Sequence, residues 1–136
     1  MNEGVFLDTS GLYAVFDGDD AGHTAAAGVW EDMLRGGFPL HSTNYVLVEL
    51  IALLQRRLGL QAVNALATYV VPWVHLSWVD ESLHSQALAG VLTAARRDLT
   101  LVDCASFSLM RRLGLSRAFA LDNHFAEQGF ELLPAE

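Results

Sequence analysis

The sequence predicts an α/β fold in which a parallel sheet is covered by helices on both faces. Three observations predict it. Short apolar runs alternate along the chain with longer segments of helical periodicity, the pattern of repeated βα units. The runs Val5-Phe6-Leu7 and Phe119-Ala120-Leu121 are apolar throughout, as strands buried on both faces require. Glycines, prolines and helix-capping residues fall at the joins between segments.

Taken in order, residues 4–8 read as a short buried strand, and Thr9 to Phe16 as a short helix. Asp17-Gly18-Asp19-Asp20 is a loop, with Asp20 or Gly22 placed to start a helix that reaches about Leu34 and ends at Gly36-Gly37. Pro39 to Thr43 is a second strand. Asn44 to Leu58 is a strong helix with Ser42 or Thr43 as cap and Gly59 as stop. Leu60 to Val71 is a further helix, stopped by Pro72. Trp73 to Val79 alternates as a strand. Asp80 caps a helix through about Arg97, and Thr100 caps another through Leu113, with Gly114 at its end. Arg117 to Asp122 is a buried strand, Asn123 to Gln128 a helical turn, and Phe130 to Leu133 a last strand.

The chain has 136 residues, which fits a single domain over 1–136 with a core that needs no staples. Net charge is −8, which argues against broad, sequence-blind nucleic-acid binding. It does not argue against a nuclease, because bound metal ions reverse the local sign of an acidic site. Cys104 is the one cysteine, so there is no internal disulfide, and a reducing compartment is compatible. No basic leader precedes an apolar segment, and no apolar run approaches the ~18 residues that span a bilayer, so a cytoplasmic protein is expected. Apolar residues make up 52%, which suggests surface covered by another chain or simply helices rich in Ala and Leu.

Four acids stand in apolar surroundings: Asp8 after the first strand, Glu49 within Val46–Leu54, Asp103 after Leu101-Val102, and Asp122 after Phe119-Ala120-Leu121. Each has a purely structural reading. Asp8 and Asp122 could cap the helices that follow, Thr100-Leu-Val-Asp103 matches a capping box, and Glu49 could face solvent. Together they ask for more. Acids are rarely buried unpaired, the chain has no lysine, and no arginine adjoins any of the four. Two carboxylates ~4 Å apart repel by roughly 4 kcal/mol at an effective dielectric near 20. A shared Mg²⁺ or Mn²⁺ removes that repulsion, lowers the pKa of a water and stabilises charge on a phosphate. In parallel sheets, ligands bind beyond the carboxyl ends of strands, where Asp8 and Asp122 fall.

These residues carry a resemblance. Phe6-Leu7-Asp8-Thr9-Ser10, Ser42-Thr43-Asn44-Tyr45-Val46-Leu47-Val48-Glu49, Leu99 to Phe107 and Phe119-Ala120-Leu121-Asp122-Asn123-His124-Phe125 occur in order over essentially the whole chain. The set resembles the PIN-domain ribonucleases, most closely the VapC-type toxins of toxin–antitoxin pairs. The resemblance implies a three-layer α/β/α sandwich with a mainly parallel central sheet. It implies a Mg²⁺- or Mn²⁺-dependent endoribonuclease with an RNA substrate, a small antitoxin partner and a homodimeric state. By the same resemblance Asp8, Glu49, Asp103 and Asp122 are the catalytic and metal-binding acids, with Thr9 or Ser10 helping to hold water or orient Asp8. Ala120 departs from the pattern, since many relatives carry Thr or Ser there. A catalytically inactive PIN module that binds RNA or a protein is the alternative.

Other residues read more plainly. Asp98 is a loop residue or an accessory acid. His124 reads as partly buried and hydrogen-bonded in preference to a phosphate or base contact. His23, His41, His75 and His84 lack zinc-ligand spacing. Arg96-Arg97 and Arg111-Arg112 suit helix carboxyl ends. Trp30, Trp73 and Trp78 read as core residues in preference to stacking platforms. A haloacid-dehalogenase phosphatase wants Asp-x-Asp and a lysine, and a receiver domain also wants a lysine; Ser10 and the lack of lysine disfavour both.

Overall fold

The computed structural model describes residues 4–135. In chain order it contains β1 (Val5–Leu7), α1 (Thr9–Phe16), α2 (His23–Gly36), β2 (Leu40–Thr43), α3 (Asn44–Arg57) and α4 (Leu60–Ala65). These are followed by β3 (Val74–Ser77), α5 (Glu81–Ala94), α6 (Leu101–Leu113), β4 (Arg117–Phe119), α7 (His124–Glu127) and β5 (Glu131–Leu133). The five strands form one sheet in the order β3-β2-β1-β4-β5, and every pairing is parallel. The expected mainly parallel sheet is therefore wholly parallel among the described residues.

The strands alternate between two apolar cores, one on each sheet face. On β1, Val5 and Leu7 enter the core built with α1, α2 and α3, while Phe6 enters the core built with α5, α6 and α7. Phe119 follows Val5 and Leu7, and Ala118 and Ala120 follow Phe6. This is the pleat's two-residue period, and it produces the three layers. On the second face Phe107 meets Phe125 edge-on at 5.0 Å between ring centres, and Phe6 lies 6.2 Å from Phe125. Cys104 is buried there as a small apolar residue.

Two short βα turns aim the site. Asp8 keeps extended geometry, its N–H bonds to the Phe119 carbonyl at 3.0 Å, and its side chain caps α1. Gly11 lets α1 start so close to β4, since a Cβ there would stand 2.4 Å from the Phe119 carbonyl oxygen. Thr43 caps α3 through the Val46 N–H, worth about 1 kcal/mol by the usual cap range.

Four expectations need correction. The helix expected over 60–71 is regular only to Ala65; it widens into a π turn at Leu66–Val70 and tightens into a 3₁₀ turn at Val71–Trp73. Pro72 sits where that turn requires no N–H. The helix from Asp80 ends at Ala94, because Ala95 turns left-handed with φ of 53°. The strand from Arg117 ends at Phe119, where its neighbour β1 gives way to α1. Trp73 and Trp78 are exposed at 66% and 74% instead of filling the core. They flank β3, an edge strand with a neighbour on one side only. Trp30 does pack against the core, 6.2 Å from Phe119.

Candidate active site

The strand order changes direction between β1 and β4, and the site lies at the carboxyl ends of these two central strands. A cleft of about 260 Å³ opens there, lined by Asp8, Thr9, Ser10, Glu49, Asp98, Asp103 and Asp122 together with Leu53 and Thr100. All six residues that the sequence singled out for the site reach this one cleft, from β1, α1, α3, α6 and the loop after β4.

Asp8 is buried. Its Oδ2 accepts from Ser10 Oγ at 2.7 Å and from Ser10 N at 3.2 Å. Burial pushes its pKa up to about 7; the Ser10 hydrogen bonds oppose that rise, and the charges on Asp103 and Asp122 add to it. Asp103 is buried too and sits at the third position of α6 in a capping box. Its Oδ2 accepts from Thr100 N at 3.1 Å, while Thr100 Oγ1 accepts from Asp103 N at 3.1 Å. Burial raises its pKa, as does Asp122, against the Thr100 hydrogen bonds. The structural and functional readings of these two acids thus hold together: each caps a helix with one oxygen and faces the cleft.

Glu49 is exposed, and Val46, Leu50 and Leu54 form the buried stripe of α3. It reaches the cleft as part of the rim. Asp122 lies past the end of β4 in a turn where its Oδ1 accepts from His124 N at 2.9 Å. Ala120 is buried and donates its N–H to the Leu133 carbonyl.

The residue that the sequence undervalued is His124. Asp103, Asp122 and His124 each offer a ligand atom, and these atoms lie within 4.8 Å of one another. His124 Nδ1 stands 3.0 Å from Asp122 Oδ1 and 3.4 Å from Asp103 Oδ2, and its Nε2 stands 3.2 Å from Asp98 Oδ2. Its spacing of two from Asp122 was visible, but only the turn after β4 brings its ring back over both acids. Asp98 is in turn gripped by Arg96 through two hydrogen bonds, at 2.8 and 3.1 Å. Arg111, in the last turn of α6, donates to Gln128 and stacks over Phe130.

The donor set suits a divalent cation. Burial drives two carboxylates toward neutrality, and buried Thr9 Oγ1 has no hydrogen-bond partner. Carboxylate and hydroxyl oxygens are hard donors of the kind that hard divalent cations take.

Comparisons with known proteins bear on the family and the fold. The PIN domain family model matches residues 5–131. The 23S rRNA-specific endonuclease VapC20 of Mycobacterium tuberculosis, from strains CDC 1551 and H37Rv, is 33% identical over 127 residues, covering 93% of this chain and 95% of the relative. The crystal structure of M. tuberculosis VapC20, described as a sarcin–ricin loop cleaving toxin, superposes with a TM-score of 0.80 at 33% identity, covering 93% of this chain and 96% of that one.

Proposed function

The chain belongs to the PIN-domain family, and on that footing we propose that it is a Mg²⁺- or Mn²⁺-dependent endoribonuclease acting as the toxin of a toxin–antitoxin pair. The observation that carries this reading is the convergence of Asp8, Glu49, Asp103 and Asp122 on one cleft, with Asp8 and Asp103 buried and their pKa values raised by that burial.

In this reading Asp8, Asp103 and Asp122 hold the ion and Glu49 completes the acidic lining from α3. A bound divalent ion would lower the pKa of a water and offset charge on the scissile phosphate. The protein's part is positioning. Ser10 fixes the rotamer of Asp8 by a short hydrogen bond. Thr100 does the same for Asp103 through the capping box. Thr9 Oγ1 is free to bond a water or phosphate oxygen entering the cleft. The first two turns of α1 and α6 also direct their positive ends at the acids, which favours the ionised forms once a cation is present.

The activity of VapC20 makes the sarcin–ricin stem-loop the substrate to test first. A ribosomal target would place the activity in the cytoplasm; no helix among the described residues is long and apolar enough to cross a membrane. An antitoxin and a second copy of the chain are the proposed partners. Exposed Leu60, Tyr69, Trp73, Trp78 and Leu92, each at least 66% accessible, supply apolar surface for such contacts.

The test is incubation of a sarcin–ricin RNA hairpin with the protein and Mg²⁺ or Mn²⁺. The expected result is a single strand break that EDTA abolishes and Asp103→Asn slows by about 100-fold or more. Wild-type protein that binds both ion and hairpin yet leaves the RNA intact would overturn the reading in favour of an inactive binding module.

A further inference from the structure

We infer that His124 is a nitrogen ligand of the metal centre, held in its ligating orientation by Asp98 and Arg96, and that it tilts the site toward a transition ion such as Mn²⁺ over Mg²⁺. This inference rests on the metal-dependent reading above and specifies its ion.

The first observation is a ring nitrogen held among carboxylates. His124 Nδ1 is buried and makes no hydrogen bond, although carboxylate oxygens of Asp122 and Asp103 stand 3.0 and 3.4 Å away. A ring nitrogen facing two anions is repelled unless positive charge, a proton on the ring or a metal ion, lies between them. The second observation places a proton on the other ring nitrogen. Arg96 grips Asp98 with both a Nε and a Nη2 hydrogen bond, which holds that carboxyl ionised and well below the ordinary carboxylate range. An ionised carboxylate only accepts, so His124 Nε2, 3.2 Å from Asp98 Oδ2, carries the proton. In the neutral ring the Nδ1 lone pair then faces Asp103 and Asp122, where a metal ion would take the place of the imidazolium proton.

This is the arrangement in which a metal-bound imidazole gives its other N–H to a carboxylate, which fixes the ring and raises its basicity. The spacing also suits an ion. Ligand atoms about 2.1 Å from a metal in adjacent octahedral positions stand about 3.0 Å apart. The two Nδ1-to-oxygen separations are 3.0 and 3.4 Å, at that value and slightly above it. Mg²⁺ prefers an all-oxygen shell and sheds water reluctantly, whereas an imidazole nitrogen binds first-row transition ions better. The chain Arg96–Asp98–His124 therefore acts as a positioning device for one nitrogen donor in an otherwise oxygen-rich site.

The experiment measures Mn²⁺ and Mg²⁺ affinity by calorimetry and records electron spin-echo modulation of the Mn²⁺-loaded protein. Wild type is expected to bind Mn²⁺ at least about tenfold more tightly than Mg²⁺ and to show nitrogen modulation from a coordinated imidazole. His124→Phe should lose the modulation and about 10- to 100-fold of Mn²⁺ affinity, with Mg²⁺ affinity changed by less than about threefold. Asp98→Asn should move the same ratio in the same direction by a smaller factor. Matched melting curves in EDTA verify that the variants fold; should His124→Phe fail that control, the wild-type modulation alone decides. Mn²⁺ bound without nitrogen modulation, or an unchanged Mn²⁺-to-Mg²⁺ ratio in folded His124→Phe, overturns the inference while leaving the metal site standing. Wild type that binds neither ion overturns both.

Discussion

Ser10 Oγ donates to Asp8 Oδ2 at 2.7 Å and accepts the Leu121 N–H at 2.9 Å. One hydroxyl thus ties the acid after β1 to the loop after β4, the two segments that meet at the centre of the sheet. The link explains how a residue in the first turn of α1 governs geometry 111 positions further along the chain.

Ser10→Ala removes both bonds at once. It leaves a buried carboxylate with less support and a backbone N–H without its partner. We expect a loss of about 1–3 kcal/mol in chemical denaturation, with RNA cleavage falling further than the stability loss alone would explain. A stability change within about 0.5 kcal/mol of zero would show that Ser10 has no such joining role.

Asp8→Asn should separate stability from function. The amide keeps an acceptor for Ser10 and removes a charge that burial disfavours. In EDTA at pH 8 this variant is expected to melt a few degrees above wild type. It should gain little from millimolar Mg²⁺ or Mn²⁺, which raise the wild-type melting temperature by binding the folded state. Equal metal-induced shifts in both proteins would exclude Asp8 from the ion's shell.

The pH dependence of the metal-free protein has a fixed sign. Asp8 has a folded pKa of about 7 against 3.8 in the unfolded chain. Between these values the folded state holds a proton that the unfolded state has released, so stability falls as pH rises. His124 acts in the same direction. Its burial lowers its pKa, but the Asp98 hydrogen bond and the charges of Asp122 and Asp103 outweigh that and raise it above 6.5. Its contribution is present below pH 6.5 and is lost as pH climbs through the raised value. Melting in EDTA is therefore expected to occur at higher temperature at pH 5.5 than at pH 8, by several degrees, and divalent metal should narrow the gap. A melting temperature that rises with pH in EDTA would contradict the burial of these groups.

Gly11→Ala places a methyl group 2.4 Å from the Phe119 carbonyl oxygen, a backbone atom that cannot swing aside. The variant is expected to lose about 1–3 kcal/mol, as overpacking of a tight contact does, and to misplace Asp8 relative to Asp122. Urea denaturation and cleavage assays measure the two effects separately.

The sequence was most readable where local chemistry dictates structure. Apolar runs and caps located β1, α1 and α3 to within a residue or two, because Thr43 and Asp8 signal their helices directly. The four acids stood out because nothing nearby in the chain could pair with them. Features set by distant contacts were hidden. Trp73 and Trp78 looked like core residues, since no local pattern says that β3 lies at the sheet edge. His124 looked ordinary, since its value comes from Asp98 and Asp103, 26 and 21 positions earlier, and from the turn that folds it back over them. After Ala67 the stretch Thr68-Tyr69-Val70-Val71-Pro72 is β-branched, aromatic or proline, and the path there widens and then tightens.

The most direct test of the account is an anomalous diffraction map from crystals soaked in Mn²⁺. The account requires a peak in the cleft within bonding distance of Asp103 and Asp122, with Asp8 facing the same ion directly or through water. A map with the cleft acids ordered and no peak among them at saturating Mn²⁺ would contradict it.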